Sequence, residues 1–137
     1  MIPYQTKFSK LPGTSYKEVY KHAQSVFKKI KHRTKRKPYV RSKYFNKQKV
    51  FFDFYWIHLY QSKGDKERTK RLKYFLAAAD LLENSRNEPI SKENPNKRTE
   101  ILHRFAGLTK EKDLFFVQIK ENKRTGNKYF MSCFAPS

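Results

Sequence analysis

Cysteine is almost missing from this chain. The one residue of that type, Cys133, excludes an intrachain disulfide and suits a reducing compartment. Glycine is scarce as well, with four in 137 residues, so there is no glycine-rich loop to cradle a nucleotide phosphate and no Gly-x-Ser-x-Gly nucleophile elbow. No apolar run approaches the ~18 residues that a membrane-spanning helix needs, and the opening MIPYQTKFSK lacks the apolar stretch of a secretion signal. The expectation is a cytoplasmic protein with no membrane partner. The histidines His22, His32, His58 and His103 lie far apart from one another and from Cys133, without paired ligand spacing, so no structural zinc site is expected. The aspartates, Asp53, Asp65, Asp80 and Asp113, fall in separate segments, so the close carboxylates of a two-metal nuclease are not expected either. Neither metal nor cofactor is anticipated.

Acidic residues are the other shortage: 12 Asp and Glu stand against 32 Lys and Arg, a net charge of +20. Such a field draws polyanions, with nucleic acid first and anionic membrane surfaces or acidic proteins after it. The imbalance is uneven. Residues 1–49 hold 15 basic and one acidic residue, a net of +14, and residues 50–137 hold 17 and 11, a net of +6. The chain therefore reads as a basic N-terminal segment, 1–49, followed by a mixed domain, 50–137, within one compact unit at this length.

Residues 1–14 read as an extended lead-in that ends at Pro12-Gly13. Ser15 and Glu18 form a capping box, and Val19, Tyr20, Ala23, Val26, Phe27 and Ile30 follow at helical spacing, which predicts an amphipathic helix over 16–30. Residues 28–37 then carry seven Lys or Arg in ten positions. They read either as a solvated linker or as an arm that grips phosphate through Lys35, Arg36 and Lys37. YVRSKYFNKQ alternates aromatics with cations. VFFDFYWIHLY, residues 50–60, has six aromatics in eleven positions and is read as helix, mostly core. Asp65 is read as the cap of a second helix, 66–83, with an apolar stripe of Leu72, Phe75, Leu76, Ala79 and Leu82. Residues 84–98 read as a polar loop.

The last third predicts a three-stranded antiparallel meander over Ile101–Ala106, Leu114–Lys120 and Lys128–Phe134, the second and third strands joined across Gly126. With Lys120 opposite Lys128, the period of two puts Phe115, Val117, Ile119, Tyr129, Met131 and Cys133 on a core face. Gln118, Lys120, Lys128 and Ser132 fall on the other face, among Phe116, Phe130 and Phe134. The fold class expected is α+β, with N-terminal helices packed on a C-terminal antiparallel sheet.

Metal-free RNA cleavage fits these residue types. It needs an acid and a base, for which histidine is suited by its near-neutral pKa, and cations around the phosphate. His58 serves as a catalytic histidine or as a core histidine satisfied by backbone, with equal weight. His103 and Arg104 point to opposite faces of their strand. If Phe105 faces the core, so does His103 and Arg104 joins Gln118 and Ser132; otherwise the two exchange. Arg71 reads as a phosphate contact or as a solvated helix cation.

The order YWIHLYQ, RLKYFLAAADLLENSRNEP, ILHRFAG, LFFVQIKE and KYFMSCF resembles the phage- and toxin-associated nuclease domains of the barnase–EndoU–colicin–RelE superfamily over residues 50–135. The resemblance implies an RNA-cleaving domain whose helix histidine, His58, is acid or base. Arg71 would bind phosphate, His103 and Arg104 would lie on the first strand of the sheet and Ser132 on the last. It also implies a partner, an acidic antitoxin or immunity protein. The expected function is a metal-independent endoribonuclease that cuts through 2′-hydroxyl attack. Its catalytic candidates are His58, His103, Arg104 and Ser132, and its RNA contacts are Lys35, Arg36, Lys37, Arg71, Gln118 and Lys120. The alternative is a non-catalytic ribosomal or architectural nucleic-acid-binding protein, and a third possibility is an adaptor for an acidic protein.

Overall fold

The computed structural model describes all 137 residues. Strand β1 (Tyr4–Gln5) leads to helix α1 (Tyr16–His32), strands β2 (Tyr39–Ser42) and β3 (Gln48–Phe51), and helices α2 (Tyr55–Tyr60), α3 (Gly64–Leu72) and α4 (Phe75–Asn84). Strands β4 (Ile90–Glu93), β5 (Glu100–Leu108), β6 (Leu114–Asn122) and β7 (Lys128–Phe134) complete the chain. The architecture is mixed helix and sheet. The meander β5–β6–β7 stands where the alternation places it, but the sheet is neither purely antiparallel nor C-terminal. It has seven strands in the order β1-β5-β6-β7-β3-β2, with β4 also on β5, and the pairs β1–β5 and β3–β7 are parallel.

Several boundaries move for identifiable reasons. The Ser15 hydroxyl accepts from the Glu18 amide at 3.3 Å, and α1 begins as the capping box predicts. The aromatic run 50–60 is divided. Val50 and Phe51 belong to β3, the Phe52 amide bonds to the Pro38 carbonyl (3.1 Å), and the helix begins only at Tyr55. The long helix expected over 66–83 breaks at Lys73-Tyr74 into α3 and α4, and its N-cap is Lys63, not Asp65. The polar stretch 84–98 contains β4. The division at 49/50 falls inside β3, and one cluster of 23 buried residues, from Leu11 to Cys133, joins side chains from both sides of it. That makes a single core.

The β6–β7 register differs from the expected one. Gln118 pairs with Ser132, but Ile119 pairs with Phe130, so Met131 is an extra residue in a bulge and Lys128 lies opposite Glu121, not Lys120. The bulge turns Phe130 onto the core face with Phe115, Val117, Ile119 and Cys133, all fully buried, and brings Tyr129 to the opposite face. Helices α1 and α4 cover the core face, where Phe27, Phe52 and Phe75 meet at ring distances of 5.8 to 6.4 Å. Helix α4 also holds β1: Thr6 and Tyr4 both donate to the Asp80 carboxylate (2.6 and 2.9 Å).

At Gly107 the sheet packs close against α4. A Cβ there would lie 2.5 Å from Phe115 Cζ and 2.8 Å from Leu81 Cδ1, inside contact distance with two buried side chains. Gly107→Ala is therefore expected to cost about 1–3 kcal/mol, read as a lower midpoint in denaturant unfolding with an unchanged slope.

Candidate functional site

The face of the sheet turned away from α1 and α4 carries the chemistry. Cross-strand pairing aligns Arg104 of β5 with Gln118 of β6 and Ser132 of β7 in one row, and Lys120 and Tyr129 in the next. Phe105 is buried, so Arg104 points outward, and its Nη2 donates to Gln118 Oε1 at 3.5 Å.

The edge of β7 brings the helices to this row. Strand β3 pairs with β7 only at Lys128 and Tyr129, which leaves Met131–Phe134 open on that side, and α2 and α3 pack there. Tyr55 of α2 stacks on Phe130 (4.6 Å, 13° between planes) and anchors the helix. One turn on, His58 shares a small crevice with Arg71, Met131 and Ser132. His58 is half-buried. Its pKa is lowered from the ordinary 6.5 by that burial first and then by the Arg71 and Lys120 charges, against an opposing hydrogen bond that the imidazole donates to the Gln61 side chain. The shift favours the neutral imidazole.

The cations are arranged around rings. The Arg71 and Arg104 guanidiniums lie 5.6 and 5.3 Å from the centre of Phe134, and Arg104 also lies 5.7 Å from Phe116. Arg71 is steadied by Glu67 (3.1 Å). Arg71, Arg104, Phe116 and Phe134 form one wall of an open cleft of about 1190 Å³, edged by Lys10, Lys66, Lys70 and Lys73. On the other side of Gln118, the Lys120 ammonium lies 4.5 Å over the Phe54 ring and 3.5 Å from Glu100 Oε2. Burial works to raise the Glu100 carboxyl, but the Asn94 amide and the Lys120 and Lys97 ammoniums outweigh it, and the group stays below its ordinary value, ionised.

The structure thus brings His58, Arg71, Arg104, Gln118 and Lys120 to one surface, with Ser132 buried beside His58 and Arg71. His103 lies on the other side. It is buried, with Nδ1 2.6 Å from Ser91 Oγ, Nε2 2.8 Å from Glu121 Oε1 and the Phe45 ring against it at 5.1 Å. The imidazole bridges β4 to β6. Lys35, Arg36 and Lys37 lie exposed before β2, away from the cleft, and Lys37 pairs with Asp53 (3.1 Å). Cys133 is fully buried, with its thiol pushed up to about 12 by burial, and is held by Tyr55 and the Arg71 carbonyl. No helix is long and apolar enough to cross a membrane.

Glu100, Phe54 and Tyr129 are members of the outer face that the sequence reading did not single out. Tyr129 passed as a core residue because the bulge was not foreseen. Glu100 offered only a weak signal, an acidic residue beginning a strand in a basic chain. No protein family, curated protein or solved structure matches the chain.

Proposed function

We propose that the protein is an endoribonuclease that cuts RNA by attack of the 2′-hydroxyl, on the outer face of the sheet beside the edge of β7. The observation that carries this reading is the meeting of His58, its pKa lowered, with Arg71 and Ser132 in one crevice, next to the Arg104 guanidinium, which has no carboxylate partner. His58 takes the proton of the 2′-hydroxyl. The 2′-oxygen bonds to phosphorus, the bond from phosphorus to the 5′-oxygen breaks, and the leaving oxygen takes a proton from the Lys120 ammonium, which Glu100 orients. The products are a 2′,3′-cyclic phosphate and a 5′-hydroxyl end. Arg71 and Arg104 hold the phosphate oxygens as their negative charge grows, with Gln118 fixing Arg104. His103 ties strands together in this scheme and does not touch RNA. The likeness to the barnase–EndoU–colicin–RelE nucleases supports the same assignment of His58 and Arg71 and adds an acidic inhibitory protein as a partner.

The test is direct. Purified protein is expected to cut a single-stranded RNA in the presence of EDTA, to leave DNA of the same sequence intact for want of a 2′-hydroxyl, and to yield cyclic phosphate ends detectable by mass spectrometry. Cleavage that stops with chelator, or that proceeds equally on DNA, would sink the scheme. A second reading, a nucleic-acid-binding protein without catalysis, is favoured by the mixture of half-exposed rings and cations on the same face, and turnover separates the two.

A further inference from the structure

The outer face does not end at the cleft. Past Lys120 it continues over β7, β3 and β2, and a row of rings stands along it. Phe54 and Tyr129 are 4.9 Å apart between ring centres, Tyr129 and Phe51 6.0 Å, and Phe51 and Tyr39 6.0 Å. The pairing of strands creates the row, since Tyr129 lies beside Phe51 and Phe51 beside Tyr39. All four rings keep exposed surface, whereas Phe52, Phe75 and Phe130 are buried on the core side.

Cations stand on these rings. Lys49 Nζ lies 4.7 Å and the Arg41 guanidinium 5.5 Å from the centre of Tyr39, and Lys120 stands over both Phe54 and Tyr129. Arg41 and Lys49 are cross-strand partners with exposed side chains, and the exposed Lys35, Arg36 and Lys37 lead into β2 at the same end. Half-wet rings interleaved with cations are what a stacking platform requires: rings for base faces, ammonium and guanidinium groups for phosphates.

We infer that this row is a track for single-stranded RNA, continuous with the cleavage site, with bases stacked on Phe54, Tyr129, Phe51 and Tyr39 and phosphates held by Lys49 and Arg41. The track rests on the reading of the outer face as an RNA-cleaving surface and adds the state in which the substrate is taken. Ring spacing is the reason for a single strand. Steps of 4.9 to 6.0 Å exceed the ~3.4 Å rise between bases of a duplex strand, so bases reach successive rings only after unstacking from one another. A duplex keeps its base faces closed and offers this surface phosphates alone. An acidic protein would meet the cations without a use for the rings.

A 2′-O-methyl oligonucleotide, which has no free 2′-hydroxyl to attack, tests binding apart from cutting. In fluorescence anisotropy at constant salt, the protein is expected to bind a single strand of about eight nucleotides at least about ten-fold more tightly than the same sequence as a blunt duplex. Tyr39→Leu with Phe51→Leu keeps apolar bulk and removes the π faces. This double variant is expected to lose about five- to a hundred-fold in single-strand affinity with duplex affinity unchanged. Tyr39→Leu alone, the milder change on the edge strand, is expected to give a smaller loss in the same direction, and thermal unfolding of both variants reports their folding. Equal binding of duplex and single strand, unchanged affinity in the folded variants, or competition by polyglutamate as effective as by RNA would each overturn the track. Because the probe is not cut, failure here leaves the cleavage reading standing, and failure of cleavage leaves this result intact.

Discussion

His58→Ala is expected to lower the rate of RNA cleavage by about 10²–10⁴-fold, the usual contribution of a positioned general base, while affinity for an uncut oligonucleotide stays nearly the same. In the proposed scheme binding is preserved because the phosphate contacts come from Arg71 and Arg104, which hold their places without the imidazole: Arg71 through Glu67 and Arg104 through Gln118. The pH profile adds a signature that a structural histidine would not give. A base works only when neutral, and burial with the Arg71 and Lys120 charges lowers the pKa of His58 below 6.5. Activity is therefore lost as pH falls through that lowered value. Arg71→Gln removes one of the lowering charges, so besides weakening phosphate contact it is expected to move the acid limb of kcat/KM to higher pH. An acid limb that stays in place in Arg71→Gln, or full activity in His58→Ala, would remove His58 from the chemistry.

His103 provides the contrast. Its substitution by alanine leaves Ser91 and Glu121 without their partner beneath β4, which costs about 1–3 kcal/mol of stability, and cleavage per folded molecule is expected to persist. Comparable losses of cleavage at His58 and His103 would mean that the two faces of the sheet act together, in a way their placement gives no means for.

The division between the two histidines was open in the sequence because a strand sends successive side chains to opposite faces and either phase of LHRFA buries apolar groups. Packing of Phe105 against Tyr44 and Phe45, which come from the loop between β2 and β3, chooses the phase, and nothing local announces that contact. Signals that act within a few residues were legible. The Ser15–Glu18 box starts α1, and the apolar runs of the last third mark β5, β6 and β7. Distant pairings were not. Two residues of β1 beside Gly107 and Leu108, or β3 parallel to β7, leave no periodic trace. The break at Lys73-Tyr74 carries neither glycine nor proline, so the helical period runs through it unmarked. The candidate site was legible by residue type more than by geometry: His58, Arg71, Arg104, Gln118, Lys120 and Ser132 were all named, but the aromatic surroundings of Lys120 depend on a bulge.

That bulge leads to the largest expected effect on folding. In KYFMSCF, Tyr129, Phe130, Met131 and Cys133 all pass as core residues, so the pattern permits both registers. The slip at Met131 selects the one that buries Phe130. Phe130 is fully buried and touches three rings, Tyr55 at 4.6 Å, Phe52 at 5.2 Å and Phe75 at 6.3 Å, one from each of α2, the turn before it and α4. Phe130→Ala removes the common surface of all three, and a void among rigid aromatic rings closes poorly. The expected loss is about 3–5 kcal/mol, a large part of the ~5–15 kcal/mol by which a domain is stable. It should appear as a fall in thermal midpoint of roughly 10–20 °C for a chain of this size. Ile57→Ala, one residue from His58 but 59 % exposed, is expected to change stability by less than about 0.5 kcal/mol. The pair also tests how the site is held. Tyr55 is the residue of α2 that stacks on Phe130, so without that ring the short helix loses the anchor that sets His58 beside Ser132. At a temperature where Phe130→Ala is still folded, cleavage should fall further than RNA affinity, because Arg104, Gln118 and Lys120 stand on strands that the substitution leaves paired. A variant that keeps full cleavage at that temperature would show that α2 is positioned by something other than the core beneath it.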